Sequence, residues 1–563
     1  MRRSGIWRGL TVIGAAALSA GASPQTAPRE GRFDWFEYSG SDPVDENAKS
    51  KPGEYRNPIL QGFYPDPSIA RVGDDYYLVT STFSYFPGIP VFHSRDLVNW
   101  TQIGNAIDRP DQLDFGTLGL SRGVFAPAIE YHAGTFYILN TCVDCGGNFV
   151  ITATDPKEPW SDPVWLPEIE GGIDPSLFVD ADGSAWILNN GPPVGTPRYD
   201  GHRAVWIQRF DLKTQKMVGP RTMLVDGGVD PSTNPIWIEG PHIIPRDGWY
   251  YLICAEGGTA EGHSQVVLRS RKVDGPYTPY PGNPILTQRD LPRDRANPIT
   301  SAGHADFVQL PNGDWWATFL AVRPYRGDYY NTGRETFLMP VEWRGEWPHI
   351  TARGQAIPYA AKRPALPVQA RPAIPTNGPF TVREEFDGAA LGPHWMMMRN
   401  PRETWHRLAD GALTLTPRPE GLGDNANPSF LARRQQHQIA SASTLIDFTP
   451  VDSAQAGLAA LQSDEYWFAI AVAGSPREIR VTRRAGPADP KAGTLVARAP
   501  APEGRIRLRI RGDRDRYRFD FAPERGQWRT LHADADGTLL STKTAGGFVG
   551  AVFGPFAQSE TGE

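Results

Sequence analysis

Three carboxylates in this chain open near-identical strand patterns. They lie in Tyr64-Pro65-Asp66-Pro67-Ser68, Gly172-Ile173-Asp174-Pro175-Ser176 and Ile238-Glu239-Gly240-Pro241-His242. Each is followed by a few apolar residues, a polar turn and an aromatic-rich strand. Acids placed at matching points of a repeated unit suggest one site assembled from several units. Cleaving a glycosidic bond requires an acid to protonate the leaving oxygen and a base to activate water. Three carboxylates around one axis can divide that work. Glu239 has the reach of an acid. Asp66, beside Phe63 and Tyr64, suits the base. Asp174 can orient the acid and raise its pKa by like-charge repulsion. A further Asp-Pro-Ser, at Asp230, has no blade-like strand after it and reads as a turn.

Positioning these groups requires a repeat, and five segments share its grammar. They begin at Asp66-Pro67, Ala126-Pro127, Asp174-Pro175, Gly240-Pro241 and His304-Ala305. The steps are roughly 60, 48, 66 and 64 residues, suited to four-stranded propeller blades. Helical periodicity is nearly absent. The fold expected is all-β: a five-bladed β-propeller over 52–358, a Pro-rich linker over 359–378, and an antiparallel β-sandwich of concanavalin-like jelly-roll type over 379–560. Innermost strands line a propeller's axis, so Asp66, Asp174, Glu239 and His304 should converge there. The tail shows period-2 strands such as 412–416, 443–448 and 505–510. The charges alternating through Arg505–Arg511 read as a solvated sheet face rather than a polyanion site.

The chain has 563 residues, a net charge of −6 and three cysteines. Its mean hydropathy is −0.41. No basic footprint for nucleic acid appears, and no membrane span follows the N-terminus. Arg2, Arg3 and Arg8, the apolar run Leu10–Leu18 and Ala20-Gly21-Ala22 read as an export signal over 1–22, with a polar leader over 23–51. The expected location is periplasmic or secreted. Cys142 and Cys145 could form a local disulfide or remain free thiols; Cys254 reads as core. No metal site is assigned from the cysteines.

Asn57-Pro58-Ile59-Leu60, Tyr64-Pro65-Asp66-Pro67-Ser68, Thr80–Gly88, His93–Trp100, Glu239-Gly240-Pro241-His242, Gly303-His304-Ala305-Asp306 and Gly333–Leu338 resemble, in order, glycoside hydrolase family 43. Arg399-Asn400-Pro401 and Arg433-Arg434-Gln435 resemble the sandwich that follows the propeller in its β-xylosidase-like members. The resemblance implies an inverting, exo-acting enzyme that releases β-D-xylose or α-L-arabinofuranose from xylo-oligosaccharides or arabinoxylan. It implies Asp66 as base, Asp174 as acid-orienting residue, Glu239 as acid and Arg334 as a contact to sugar hydroxyls. It also implies that His304 faces the axis, where some relatives hold calcium through water; no cofactor is required for bond breaking. Phe83, Phe86 and Phe125 are candidate walls against a pentose ring, with Phe125 standing where many members carry Trp. Two other readings use the same propeller: an endo-arabinanase and a non-catalytic carbohydrate-binding module.

Overall fold

The computed structural model describes residues 30–47 and 50–559. The export signal expected over 1–22 lies outside the described residues. Five antiparallel sheets follow one another along the chain. Their innermost strands are Ser68–Val72, Ala128–His132, Ile173–Val179, Glu239–Arg246 and Thr300–Gln309. Successive innermost strands touch, and the fifth returns to the first, which makes a five-bladed propeller. The polar turns expected between first and second strands are present: Gly183 N–H donates to the Asp180 carbonyl and Gly313 N–H to that of Leu310.

The ring is closed by residues 57–60 lying along the fifth-blade strand Glu335–Arg344. Ile59 N–H donates to Thr336 O at 2.9 Å, and the Asn57 side chain pairs with both the N–H and the carbonyl of Leu338 at 2.9 Å. The short strands Glu54–Arg56 and Ala360–Lys362 pair beside it. The Pro-rich connector then lies against the first blade. Arg363 reaches Asp96 at 2.6 Å and Gln369 N–H donates to the same carboxylate at 3.0 Å.

Two sheets of eight strands form the sandwich. Its core includes Trp395, Trp405, Phe468, Phe519 and Phe553. The leader expected over 23–51 is corrected here. Gly31–Ser41 is a strand of the sandwich, paired with Ile439–Asp447 and Phe380–Glu384. Phe33, Phe36 and Tyr38 enter the sandwich core. A bulge between Phe33 and Trp35 breaks the strict two-residue alternation, which is why the segment does not read as a strand.

The two domains interlock. Tyr85–Phe86, from a propeller loop, pairs with Met396–Met398 and adds a strand to the second sandwich sheet. Arg323, 1% exposed, binds both Asp42 and Glu335, with Glu335 Oε1 at 2.8 Å. Asp42 precedes the propeller in sequence and also accepts from Gln438 N–H of the sandwich at 2.9 Å. The basic segments of the tail serve the same junction. Arg434 donates to Phe63 O at 2.8 Å and stacks over Tyr64, while Arg399 binds Asp464 and donates to Leu118 O at 2.7 Å.

Candidate active site

Local backbone geometry aims the acids. The innermost strands of blades three, four and five shift register at their entrance, between Ile173 and Ser176, Glu239 and His242, and Gly303 and Asp306. A bulge of this kind takes the entry residue out of strand alternation and re-aims it. Asp66, Asp174, Gly240 and His304 have φ of 56°, 54°, 56° and 54°. This left-handed region costs a non-glycine residue roughly 1–2 kcal/mol, and Asp is among the side chains that tolerate it best. In the register, Gly240 matches Asp174, so Glu239 sits one position earlier, at the place of Ile173. The three acids are therefore offset by one residue rather than strictly equivalent. Glycine is required at 240 because a Cβ there would lie 2.7 Å from Nε2 of His304.

Cross-blade hydrogen bonds hold these entrances together. Ser68 Oγ, on blade one, donates to Asp306 Oδ2 on blade five at 2.7 Å and accepts from Ile129 N–H on blade two at 3.0 Å. Ser176 Oγ, on blade three, donates to Pro241 O on blade four at 2.5 Å. His242 is half-buried beside Asp306, 3.6 Å away, and desolvation lowers its pKa. It belongs to this supporting layer. Asp230 caps a single 3-10 turn, accepting from Ser232 N–H at 3.1 Å, as expected of a turn residue.

Asp66, Asp174, Glu239, His304, Arg334, Phe83 and Phe125 all line one cavity of about 420 Å³, whereas Phe86, expected in its wall, pairs with Met397 and packs into a hydrophobic core instead. Asp66 accepts from Ser81 Oγ at 2.5 Å and from Arg334 Nη1 at 3.1 Å; His304 Nδ1 lies 3.7 Å away. Arg334 does not pair with its neighbour Glu335, which is taken by Arg323. Its buried Nε has no protein acceptor, leaving a donor available for a sugar hydroxyl.

Asp174 and Glu239 are buried acids with raised pKa values. Burial pushes the Asp174 carboxyl up to about 6 and the charge of Asp66 adds to this, while His304, the Gly240 N–H at 3.1 Å and Arg334 pull the other way. Burial also drives Glu239 well above the ordinary carboxylate range, with Asp174 and then Asp66 raising it further. Arg334 and the Trp237 indole oppose that rise. A buried acid held protonated beside a carboxylate anchored by arginine is the division of labour that acid–base catalysis needs.

The pocket wall also holds residues that sequence reading missed, Phe548, Trp237 and Arg122 among them. Phe548 comes from the sandwich and closes an aromatic group with Phe83 and Phe125. Its ring lies 5.9 Å from Phe83, nearly parallel, and 5.7 Å from Phe125, edge-on. Arg334 sits 5.2 Å from the Phe548 ring centre. Phe548 N–H donates to Ser121 Oγ of the propeller at 2.8 Å, so the domain contact seats the ring. The sequence signal was slight: an aromatic after the Gly546-Gly547 pair. Trp237, with φ 58°, and Arg122, ion-paired to Asp144 at 2.6 Å, also line the pocket. Cys142 and Cys145 form a disulfide across the turn that carries Asp144, and Cys254 is buried.

The resemblance would put calcium on the axis, held through water beside His304. Among the described residues no group of three or more His, Cys, Asp or Glu could hold a metal ion. Calcium takes six to eight oxygen ligands. The Asp306 carboxylate already accepts from Ser68 and from the N–H groups of Ile69 and Phe307. Among the described residues the side chains by themselves do not build a calcium shell, and no chemical step here uses one.

Residues 55–348 match the sequence model of glycosyl hydrolases family 43, and 383–563 that of the beta xylosidase C-terminal concanavalin A-like domain. A xylosidase/arabinosidase of Butyrivibrio fibrisolvens is 41% identical over 73% of this chain and 78% of its own length. A non-reducing end alpha-L-arabinofuranosidase of Bacteroides ovatus is 35% identical over 89% and 91%. The crystal structure of a family 43 protein retrieved from a capybara gut metagenome superposes with a TM-score of 0.88 at 38% identity, covering 94% of this chain and all of that one. With the propeller and the sandwich both matched, this chain belongs to glycosyl hydrolases family 43.

Proposed function

We propose that the protein is an exo-acting, inverting glycosidase that releases a terminal β-D-xylose or α-L-arabinofuranose from xylo-oligosaccharides or arabinoxylan. The observation that carries this reading is a pocket holding all three acids whose wall is completed by Phe548 from the second domain. A cavity of about 420 Å³ walled in this way suits a chain end, whereas an internal cut needs an open groove. The names of the relatives agree with a pentose substrate.

In the mechanism, Asp66 accepts a proton from water as that water attacks the anomeric carbon. The glycosidic C–O bond breaks, and the proton of Glu239 passes to the leaving oxygen. Asp174 helps keep Glu239 protonated until that moment by its charge, while its bond to the Gly240 peptide ties it to the strand that carries Glu239. Arg334 holds Asp66 and offers its remaining donors to the sugar. The aromatic trio covers the apolar face of the ring. We place the enzyme outside the cytoplasm, on its N-terminal residues and the Cys142–Cys145 disulfide, which oxidising compartments favour.

Nitrophenyl β-D-xyloside, α-L-arabinofuranoside and β-D-galactoside, compared in one panel, test the substrate class. NMR of the first-formed product tests inversion. Oligomer ladders instead of monosaccharide, or retention of the anomeric configuration, would overturn the reading.

A further inference from the structure

The sandwich carries a second recess, which shares no lining residue with the catalytic pocket. It is a trough of about 860 Å³ on the sheet that contains Gly31–Ser41. It crosses six neighbouring strands: Phe380–Glu384, Gly31–Ser41, Ile439–Asp447, Ile506–Asp513, Arg516–Pro523 and Arg529–Asp536. At about 4.8 Å per strand spacing the trough is about 24 Å long, room for an oligosaccharide rather than a single sugar.

The register defines its floor. Thr381 faces Ser39, Ser39 faces Ser441, Ser441 faces Arg511, and Arg511 faces Arg518. These five side chains form one row on the outer face, since the alternating Tyr38, Ala442, Ile510 and Phe519 are buried in the core. The row begins with hydroxyls, Ser39 and Thr381 lying 2.8 Å apart, and ends with guanidiniums. The small side chains leave the trough open over its first half.

The charged half is braced by ion pairs, and its lining holds three arginines against two aspartates. The buried carboxylate of Asp520 lies beneath it and binds three arginines: Arg509 at 3.0 Å, Arg511 at 2.9 Å and Arg518 at 3.3 Å. Arg516, at the rim, has no ion pair among the described residues. Arg511 uses only Nε on Asp520, and its side chain is 40% exposed, so its terminal nitrogens remain free to form a fork for a second carboxylate. Two acids also line the trough, Asp513 and Asp534, of which Asp513 is engaged by Arg514 at 2.9 Å. The only aromatic residues in the lining, Phe380 and Tyr517, are buried, so no ring is presented for stacking on a neutral sugar.

We propose that this trough binds an extended glycan bearing carboxylate groups, an acidic xylan, with hydroxyls on the serine–threonine half and a uronate on Arg511. Its role in holding the enzyme on the polymer whose ends the pocket trims rests on the glycosidase reading; the binding itself does not.

The test is affinity gel electrophoresis of the full chain carrying Asp66→Asn, so that the polymer is not shortened during the run. The probes are glucuronoxylan, the same polymer with its carboxyl groups reduced to alcohols, and neutral arabinoxylan. Retardation is expected with glucuronoxylan and about tenfold weaker with the other two. Adding Ser441→Tyr, which fills the floor without touching an ion pair, should abolish retardation. Adding Arg511→Gln should weaken it about tenfold. No retardation in glucuronoxylan, equal retardation by native and carboxyl-reduced polymer, or retention unchanged in both variants would overturn the proposal. Nitrophenyl pentoside hydrolysis by the otherwise wild-type Ser441→Tyr enzyme is expected to match wild type. Absent hydrolysis in wild type would defeat the glycosidase reading and leave the trough result standing.

Discussion

Replacing Asp174 by Asn should make the protein more stable and the enzyme worse, with both effects depending on pH. Asn keeps an oxygen to accept from the Gly240 N–H and tolerates the φ of 54° at this position. What it removes is a carboxylate that burial has pushed from 3.8 up to about 6. A folded-state pKa above the unfolded value means that the native state binds the proton more tightly. Wild type therefore loses stability as pH rises from about 4 through about 6, and the loss is complete above that range. The shift corresponds to about 3 kcal/mol at neutral pH. Asn cannot ionise, so the variant escapes this loss. The difference in Tm between variant and wild type, followed by calorimetry from pH 4 to 8, should be near zero at pH 4, open up to pH 6 and stay level beyond. Removing the like charge also lets the Glu239 pKa fall, so the alkaline limb of kcat/KM should move to lower pH. A stability difference that does not change with pH, or a variant less stable than wild type at pH 7.5, would refute the reasoning.

Glu239→Gln should lower kcat/KM on xylobiose by about 10²–10⁴-fold, and much less on a dinitrophenyl glycoside whose leaving group needs no proton; steady-state kinetics on the two substrates decide it. Asp66→Asn should abolish turnover on both, while circular dichroism shows the fold intact. Phe548→Ala removes ring contacts to Phe83 and Phe125, each worth about 1 kcal/mol, so it should lower Tm modestly and, by opening the pocket wall, reduce kcat/KM about tenfold. Arg323→Met leaves the carboxylates of Asp42 and Glu335 buried without their cation and should destabilise the protein by about 3–5 kcal/mol in urea unfolding.

What the amino-acid sequence determined by itself was local and periodic. The repeated openings (Asp-Pro twice, Ala-Pro, Gly-Pro and His-Ala), the polar turns and the aromatic second strands announced five blades, and through them a shared axis for Asp66, Asp174, Glu239 and His304. Period-2 patterning beyond residue 380 announced the sandwich. Tertiary structure decided whatever depends on distant segments meeting or on backbone twist. The strand Gly31–Ser41 was hidden because its bulge breaks alternation, and it finds its partners hundreds of residues later. Phe548 carries no local mark of function; the docking of its loop on Ser121 makes it a pocket wall. Glu239 stands one place ahead of the two aspartates because the His304 ring occupies the space a side chain at 240 would need. Sequence periodicity records which face a residue takes within its own strand. Which neighbour it meets there is set by the closure of the ring and the docking of the sandwich.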